Sequence, residues 1–263
     1  MDIREYVHFS KEAIKKEIAS FSRVPCLSII TVGDDPASEA YVRGKKKDAS
    51  EVGINALHSV FPSDVSEEEV LSLIRKQNED PSIDGIIVQL PLPRHISEQK
   101  INETISPLKD VDGFTPTSRY KQCTPKGIVD YLAFSDFPFS SSNAVVIGRS
   151  QIVGKPMAKM LLEKNMNVTV LHSKTKEEDK AFYIAHADLI VVATGRRGIL
   201  DSHYRYKPSA YVMDVGINRD ETNHLHGDCE KGLPVAYQSP VPGGVGLLTR
   251  LALLTNLLEA CKR

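Results

Sequence analysis

Short apolar runs rich in β-branched residues recur along this chain, and longer stretches with helical periodicity separate them. The runs lack a strict alternation of apolar and polar residues, which is typical of strands that are buried on both faces. Buried strands that alternate with helices predict an α/β fold with a parallel sheet. The predicted strands are Cys26–Val32, Asp84–Gln89, Asn143–Ile147, Asn167–Leu171, Asp188–Ala193 and Tyr211–Val215.

The stretches between these strands predict amphipathic helices. Ser66 followed by Glu69 is the sequence of a capping box, and Pro156 stands where the first turn of a helix tolerates proline. Segment Phe134–Asn143 is rich in Pro and Ser, so we expect the chain to pass from one domain to the next there. The predicted helices are Lys11–Ser20, Ala37–Glu51, Ser66–Asn78, Lys126–Phe134, Pro156–Lys164 and Leu247–Cys261.

The composition excludes several classes of function. The 263 residues correspond to between one and two ordinary domains, and 33 basic against 34 acidic residues give a net charge of −1. A nearly neutral chain has no electrostatic reason to bind nucleic acid. No apolar run approaches the ~20 residues of a membrane span, and the charged N-terminal residues are unlike a signal peptide. We therefore expect a cytoplasmic protein with no nucleic-acid partner and no membrane partner.

The cysteines predict neither a metal site nor a disulfide framework. None belongs to a CxxC pair, and none has a histidine nearby at the spacing of metal ligands. This usage fits a reducing compartment. The four are Cys26, Cys123, Cys229 and Cys261.

A glycine-rich turn follows the predicted strand Asn143–Ile147. The segment from Ala144 reads AVVIGRSQIVGKP, in which Gly148, Ser150 and Gly154 lie between the strand and the next helix. Backbone N–H groups at a helix start, together with the positive end of the helix dipole, can bind a pyrophosphate. The spacing G-x-S-x-x-x-G departs from G-x-G-x-x-G, so a tight turn into a packing helix would explain it as well.

The residues after the following strands bear on the choice of cofactor. An NAD-preferring site usually carries Asp or Glu after the second strand, whereas this chain has Ser173 and Lys174 there and Arg149 in the preceding turn. These residues would accept a 2′-phosphate, which favours NADP over NAD, and a plain polar turn is the alternative. Gly195 and Ile217 follow two further strands, at the carboxyl ends where ligands of open α/β sheets collect.

The N-terminal half carries a second group of candidate residues. Ser38, Tyr41, Lys45 and Ala49 follow one another at steps of three and four, so they share one helix face. A ring and an ammonium on one face can stack a flat ligand and place a charge beside it. A lysine whose stem packs over the tyrosine is the alternative.

Three further strings combine polar groups with turn residues. In DGIIVQLPLP, Gln89 ends a buried strand and needs partners if it is buried, so a structural glutamine is the alternative to a functional one. In KDVDGF, Asp110 and Asp112 lack EF-hand spacing, and a solvated acidic turn would account for them. The loop SPVPGGVG, residues 239–246, can bring backbone against a flat ligand or simply lead into the last helix.

Six strings with turn, polar and glycine residues follow one another along nearly the whole chain: YVRGKKKDASEVGI, DGIIVQLPLP, KDVDGF, CTPKGI, GRSQIVGKP and SPVPGGVG. In their order and approximate spacing the sequence resembles the bifunctional methylenetetrahydrofolate dehydrogenase/methenyltetrahydrofolate cyclohydrolase family. The resemblance implies an N-terminal α/β folate domain, residues 1–138 joined by the terminal helix 247–263, and a Rossmann-like NADP-binding domain, residues 139–246. It also implies a cleft between the domains and a homodimer.

The resemblance further implies an activity and a set of site residues. The family oxidises 5,10-methylenetetrahydrofolate to the methenyl form with NADP and then hydrolyses the product to 10-formyltetrahydrofolate. Lys45 would be the catalytic lysine, Gln89 its partner, Tyr41 the ring that stacks on the folate and Asp112 the carboxylate that binds the pterin. Folate would also contact Val88, Leu90, Pro242, Gly243, Gly244, Val245 and Gly246. The cofactor would bind to Gly148, Arg149, Ser150, Ser173, Gly195 and Ile217, and no metal is expected.

Some positions depart from the family pattern, and two alternatives stay open. Leu247 replaces a proline, Ser239 a threonine and Gln122 a proline, and the connection 228–239 is short. These changes bear on the efficiency of the hydrolysis, so a dehydrogenase with weak or absent cyclohydrolase is one alternative. The other is a non-catalytic nucleotide-sensing protein, which would not need Tyr41, Lys45, Gln89 and Asp112 together.

Overall fold

The computed structural model describes residues 2–222 and 224–262, which form two compact α/β units. The N-terminal unit comprises Val7–Cys123 and the chain from Arg250 onward, and the C-terminal unit comprises Thr124–Thr249 with the residues before Val7. The terminal helix therefore ends in the N-terminal unit, and the expected two-domain α/β fold class is confirmed. The predicted domain limits at residues 138 and 246 stay a prediction.

The elements follow one another in an alternating order, which is why both sheets are parallel. In chain order they are α1 (Ile3–Ile18), β1 (Cys26–Val32), α2 (Pro36–Val52), β2 (Asn55–Phe61), α3 (Glu67–Glu79), β3 (Gly85–Val88), α4 (Glu98–Thr104), α5 (Cys123–Phe134), β4 (Asn143–Ile147), α6 (Gly154–Glu163), β5 (Asn167–Leu171), α7 (Glu177–His186), β6 (Leu189–Val192), β7 (Tyr211–Asp214), β8 (Asn218–Arg219), β9 (Leu225–His226), β10 (Tyr237–Gln238) and α8 (Val245–Cys261).

The N-terminal unit is built on a three-stranded parallel sheet with the order β2-β1-β3. The central strand β1 is buried at every residue because it has neighbours on both edges and is covered on its faces. Ile30 of β1 and Ile86 of β3 pack in one core cluster with Val70 and Ile74 of α3 and Ile101 of α4. This core fixes the carboxyl ends of β1 and β3.

The C-terminal unit is built on a five-stranded parallel sheet with the order β10-β7-β6-β4-β5. In register, Ile147 of β4 pairs with Val192 of β6, and Val192 pairs with Asp214 of β7. The strands therefore end together, and the loops that follow them start from one edge of the sheet. A short antiparallel hairpin, β8 with β9, extends from the loop after β7.

Local sequence predicts most of these elements, and the differences have physical causes. Strands β1, β4 and β5 have the predicted bounds. Helix α1 starts at Ile3 rather than Lys11, because Asp2 and Glu5 cap it: Glu5 N donates to Asp2 Oδ1 at 2.9 Å, and Asp2 N donates to Glu5 Oε2 at 3.0 Å. Helices α4 and α7 and strands β2, β8, β9 and β10 were not predicted from the sequence. Strand β2 is a largely exposed edge strand without a continuous apolar run, and β8, β9 and β10 are two residues each.

Two further findings concern the described residues. Among them, no helix combines the length and apolar character that crossing a bilayer requires. Within the same residues, no three or more His, Cys, Asp or Glu side chains form a group that could hold a metal ion. None of the four cysteines is in a disulfide bond within this part of the chain.

Candidate functional site

Lys45 on α2 is almost fully buried, with 9% of its surface exposed. The helix is capped by Asp35, whose carboxylate accepts a hydrogen bond from Ser38 N at 2.7 Å. The Lys45 Nζ donates to Gln89 Oε1 at 3.1 Å and lies 3.9 Å from Asp112 Oδ2. Three predicted site residues from distant parts of the sequence thus meet in the N-terminal unit, so the alternative of a lysine that only packs over Tyr41 does not account for the contacts of Lys45.

Gln89 is fixed at the carboxyl end of β3. Its backbone N–H donates to Ile30 O at 2.8 Å, and its side-chain Nε2 donates to Leu90 O at 2.8 Å. The Ser38 hydroxyl donates to the same Leu90 carbonyl at 3.2 Å. Because the amide nitrogen is engaged by the loop backbone, the amide oxygen is the atom that faces Lys45. Gln89 therefore has a structural contact and a contact to the lysine at the same time.

Asp112 lies in a turn that is organised by a second buried carboxylate, Asp110. Asp110 accepts hydrogen bonds from Gly113 N at 3.1 Å and Thr115 N at 2.7 Å, and its burial raises the pKa of the carboxyl group. Gly113 has φ +77°, and a Cβ there would lie 2.8 Å from Gln122 N, so the turn requires glycine. Asp110 and Asp112 are 1% and 8% exposed, which excludes a solvated acidic turn.

The other predicted folate residues of the N-terminal unit lie on the same elements. Tyr41 is half-buried one turn before Lys45 on α2, Val88 is buried at the end of β3, and Leu90 is half-buried. A cavity of about 350 Å³ opens beside Ser38 and Gln89, at the carboxyl ends of β1 and β2. The roles of these residues in binding a ligand stay predictions.

The predicted folate-side loop, Pro242 to Gly246, belongs to the C-terminal unit. Gly243 has φ +94°, and a Cβ on Gly244 would lie 2.2 Å from Pro240 O. Val245 is buried and begins α8. A left-handed backbone conformation at Gly243 and close backbone packing at Gly244 therefore account for these two glycines, and the role of the loop toward a ligand stays a prediction.

The glycine-rich turn after β4 is tightly packed. Gly148 has φ +123°, and a Cβ there would lie 2.3 Å from Ala193 O; a Cβ on Gly154 would lie 2.2 Å from Gly148 O. The Ser150 hydroxyl accepts hydrogen bonds from Val153 N at 3.2 Å and Gly154 N at 3.3 Å, which closes the turn at the start of α6. The turn is thus a compact strand-to-helix connection whose exposed side carries Arg149 and Ser150.

The same edge of the sheet fits a dinucleotide. Gly195, after β6, has φ +64° with no atom within 4 Å of an added Cβ, so space is open beside it. Ser173 and Lys174 are exposed after β5, and Ile217 after β7 is 42% exposed. No carboxylate lies between the end of β5 and the start of α7. A ligand with a 2′-phosphate would therefore meet a hydroxyl and cations rather than an acid.

Sequence analysis did not select two buried carboxylates in the C-terminal unit, Asp214 and Asp228. They are 3% and 0% exposed, and burial raises the pKa of Asp214. Asp228 accepts hydrogen bonds from Thr194 N and Gly195 N in the loop after β6, and Asp214 accepts one from Gly216 N in the loop after β7. The sequence signal for these carboxylates was two glycines: Gly216, which packs against Asp228, and Gly227, which packs against Asp214. The glycines can be interpreted in this way only once the fold is known.

Comparison with known proteins gives two matches that together span nearly the whole chain. The model described as the catalytic domain of tetrahydrofolate dehydrogenase/cyclohydrolase matches residues 1–112, and the model of its NAD(P)-binding domain matches residues 122–263. The chain belongs to the tetrahydrofolate dehydrogenase/cyclohydrolase family. The predicted resemblance is thereby confirmed, and the C-terminal unit carries the NAD(P)-binding domain of that family.

Individual relatives of the tetrahydrofolate dehydrogenase/cyclohydrolase family are similar over almost their full length. The protein named Bifunctional protein FolD of Variovorax paradoxus is 47% identical over 251 residues, covering 91% of this chain and 88% of the relative. The crystal structure of the bifunctional enzyme FolD of Campylobacter jejuni has a TM-score of 0.93 at 39% identity, covering 98% and 96% of the two chains.

A third relative bears on the cofactor. The Trypanosoma brucei methylenetetrahydrofolate dehydrogenase-cyclohydrolase, solved with NADP cofactor and an inhibitor, has a TM-score of 0.94 at 30% identity. The match covers 100% of this chain and 97% of that one. The C-terminal unit therefore has the backbone of a protein that binds NADP.

Proposed function

We propose that this chain oxidises 5,10-methylenetetrahydrofolate to 5,10-methenyltetrahydrofolate with NADP and hydrolyses the product to 10-formyltetrahydrofolate. The observation that carries the proposal is the buried cluster in which Lys45 Nζ lies 3.1 Å from Gln89 Oε1 and 3.9 Å from Asp112 Oδ2. Membership of the family supports the same reading over a non-catalytic nucleotide-sensing protein, which would have no use for this cluster.

The oxidation step depends on placement. When bound, NADP supplies a nicotinamide ring that accepts a hydride, while the folate nitrogens stabilise the positive charge on the one-carbon bridge. No protein acid or base is required for that transfer, so the contribution of the chain is orientation and exclusion of water. In our proposal Tyr41 stacks on the folate and Asp112 binds the pterin, which holds the bridge beside Lys45.

The hydrolysis step requires proton transfer. Water adds to the methenyl carbon and loses one proton; the carbon–nitrogen bond then breaks as the departing nitrogen takes up a proton and the adduct hydroxyl loses its own to form the formyl C=O, so one proton is released to solvent overall. We assign the transfer between water and nitrogen to Lys45 Nζ, which as a neutral amine accepts the first proton from water and as an ammonium gives it to the nitrogen. Gln89 holds Nζ through its amide oxygen, and its own amide nitrogen is anchored on Leu90 O.

Arg149, Ser150 and Ser173 are proposed to bind the cofactor, with Gly148, Gly195 and Ile217 beside it. Exposed Arg149 and Ser173, with no carboxylate after β5, support NADP over NAD. The family relative from Trypanosoma brucei, solved with NADP, supports the same choice. The loop from Pro242 to Gly246 is proposed to contact the folate.

The assembly and location are also proposals. A net charge of −1 supports a protein without a nucleic-acid partner, and free cysteines support the cytoplasm. We propose a homodimer with no membrane partner and no metal requirement. Light scattering during gel filtration measures the oligomeric state directly, and a monomer at micromolar concentration would contradict the proposal.

One assay tests the activity. Purified protein is given methylenetetrahydrofolate and NADP, and the absorbance of NADPH and of methenyltetrahydrofolate is followed together. The proposal predicts NADPH formation with less methenyl product than NADPH. No NADPH would contradict the dehydrogenase, whereas NADPH with methenyl product decaying only at the buffer rate would leave a dehydrogenase without cyclohydrolase.

A further inference from the structure

The loops after β6 and β7 converge on one fully buried carboxylate, Asp228. Its Oδ2 accepts hydrogen bonds from Thr194 N at 2.7 Å, Thr194 Oγ1 at 2.8 Å and Gly195 N at 2.9 Å. Its Oδ1 accepts a hydrogen bond from Asn218 Nδ2 at 2.9 Å. The Asp228 side chain therefore fixes Thr194 and Gly195 in the loop after β6. It also fixes Asn218, the residue that follows Ile217.

A second buried carboxylate fixes the position of Asp228 itself. Asp214 accepts hydrogen bonds from Asp228 N at 2.9 Å and Gly216 N at 3.0 Å through Oδ1, and from Cys229 N at 2.9 Å through Oδ2. Because Asp214 ends β7, this contact ties Asp228 to the rigid sheet edge. The position of the Asp228 carboxylate is thus determined by the sheet rather than by a flexible loop.

Two glycines, Gly216 and Gly227, pack directly against these carboxylates. A Cβ on Gly216 would lie 2.1 Å from Asp228 Oδ1, and a Cβ on Gly227 would lie 1.9 Å from Asp214 Oδ2. Any side chain at either position would displace a carboxylate. The arrangement therefore has one geometry, and small errors in it cannot be absorbed by neighbouring side chains.

The donors to Asp228 are neutral, which is unusual for a fully buried carboxylate. Backbone N–H groups, a hydroxyl and an amide supply the four hydrogen bonds. Burying a carboxylate costs free energy unless its hydrogen bonds are well made. A buried carboxylate of this kind can hold two loops in one geometry, because it accepts hydrogen bonds from both loops at once.

We infer that Asp228 is a positioning residue for the cofactor, which it holds in place through the loops that carry Gly195 and Ile217 without touching it. The inference rests on the proposed function, in which Gly195 and Ile217 lie beside NADP. Asp228 acts on two loops whose strands end in register, so its loss should loosen both sides of the same ligand.

The first test is the affinity of Asp228→Asn for NADPH, measured by titration of NADPH fluorescence without folate. Asparagine keeps one oxygen for Thr194 and Gly195 but turns an N–H group toward Asn218 Nδ2, so two donors meet. We expect the Kd for NADPH to rise by about tenfold, since two donors that face each other at a buried site leave at least one of them without an acceptor. The KM for methylenetetrahydrofolate should stay near that of the parent protein.

The matched control is Asp188→Asn. Asp188 lies in the same unit, at the amino end of the sheet, and accepts hydrogen bonds from Asn143 N at 2.8 Å and Lys207 Nζ at 2.7 Å. We expect this variant to lower the melting temperature without changing the Kd for NADPH. Equal weakening of NADPH binding by both variants would assign the effect to general destabilisation and would overturn the inference.

A rescue variant adds a readout that a merely structural role would not give. In Asp228→Asn with Asn218→Asp, the new amide at 228 donates to the new carboxylate at 218, so this contact is restored with its polarity reversed, while the hydrogen bond from Asn218 Nδ2 to Gly227 O at 3.1 Å is lost. We expect the Kd to fall below that of Asp228→Asn and to lie within about threefold of the parent value, because the two sites are directly coupled. A Kd that stays at the level of the single variant would overturn the inference.

The remaining outcomes are also decisive. If Asp228→Asn does not fold, Asn218→Leu removes one of the four hydrogen bonds to Asp228, together with the hydrogen bond to Gly227 O, and should raise the Kd for NADPH about threefold. An unchanged Kd overturns the inference. A parent protein that binds no NADPH would overturn the proposed function as well. A parent that binds NADPH, with Asp228→Asn binding equally well, would overturn the inference alone.

Discussion

The Nζ of Lys45 lies 3.1 Å from Oε1 of Gln89, although 44 residues separate the two side chains in the sequence. Helix α2 supplies the lysine and the end of β3 supplies the glutamine. The Gln89 amide nitrogen is held by Leu90 O, so the glutamine cannot rotate its oxygen away without losing that hydrogen bond. Gln89 therefore holds the Lys45 Nζ in one position. Because the hydrolysis needs a proton carrier and the hydride transfer does not, replacing either residue should slow the hydrolysis more than the oxidation.

Replacing Lys45 by Met should abolish most of the cyclohydrolase activity and leave measurable dehydrogenase activity. Methionine keeps the length and apolar stem of lysine but cannot carry a proton, and proton transfer contributes about 10²- to 10⁴-fold. The rate of methenyltetrahydrofolate hydrolysis measures the effect. Lys47→Met is the control, because Lys47 lies on the same helix with 76% of its side chain exposed. Parent-level rates of both reactions in Lys45→Met would disprove the assignment.

Replacing Gln89 by Leu should slow the hydrolysis by about tenfold to a hundredfold, because Lys45 loses the acceptor that orients it. The side chain keeps a similar volume, so the free energy of unfolding should change less than the rate. Gln99→Leu is the control, since Gln99 is exposed on α4 and its side chain donates a hydrogen bond to Glu103 on the same helix. A Gln89→Leu protein with the parent hydrolysis rate would show that Lys45 needs no partner.

Replacing Arg149 by Ala should reduce the preference for NADP. A charge-assisted contact to a 2′-phosphate contributes roughly 1.5–3 kcal/mol, so the KM for NADP should rise by about tenfold while the KM for NAD stays unchanged. Dehydrogenase kinetics with each cofactor provide the measurement. Lys159→Ala removes an exposed cation from α6 as a control. If both Michaelis constants of Arg149→Ala match the parent values, Arg149 does not select NADP.

Two adjacent leucines on α6 give a matched test of the C-terminal core. Leu161 is fully buried, whereas Leu162 is 58% exposed. Leu161→Ala should lower the free energy of unfolding by about 2–5 kcal/mol, because it leaves a cavity, and Leu162→Ala should change it by less than about 0.5 kcal/mol. Urea unfolding followed by circular dichroism measures both. Equal effects would mean that α6 does not pack as described.

The stability of the protein should fall on acidification, partly through His58. Burial, together with the charge of nearby Lys46, lowers the pKa of His58. The unfolded chain therefore binds a proton on this imidazole at a higher pH than the folded chain does. The stability that neutral His58 contributes is complete above about pH 6.5 and is lost as the pH falls through the folded pKa.

His58→Gln tests this pH dependence and keeps a partner for Thr31, whose hydroxyl lies 3.0 Å from His58 Nε2. The free energy of unfolding should decrease less between pH 7 and about pH 5 in the variant than in the parent protein. His8→Gln, at an exposed position on α1, is the control. Identical pH profiles for the parent and His58→Gln would assign the acid sensitivity to other groups.

The edge strand β2 and the turn around Asp110 show where sequence analysis reached its limit. The sequence of β2, NALHSVF, pairs in full register with β1, yet its side chains are largely exposed, so no apolar run marks it. KDVDGF reads like a solvated turn, but Asp110 and Asp112 are buried. The pairing of β2 with β1 and the contact of Asp112 with Lys45 join residues that lie far apart in the chain. The Asp228 contacts to Thr194 and Asn218 were missed for the same reason.

Local chemistry by itself determined the α/β class, the bounds of strands β1, β4 and β5, and the shared helix face of Tyr41 and Lys45, because apolar runs and helical spacing are properties of neighbouring residues. Six motif strings in order determined the family. Only the tertiary structure decided that Lys45, Gln89 and Asp112 meet, and that Asp228 joins two loops. Hydrogen bonds between distant segments depend on how the strands are ordered and on which groups lose water, and neither is written in any short stretch of sequence.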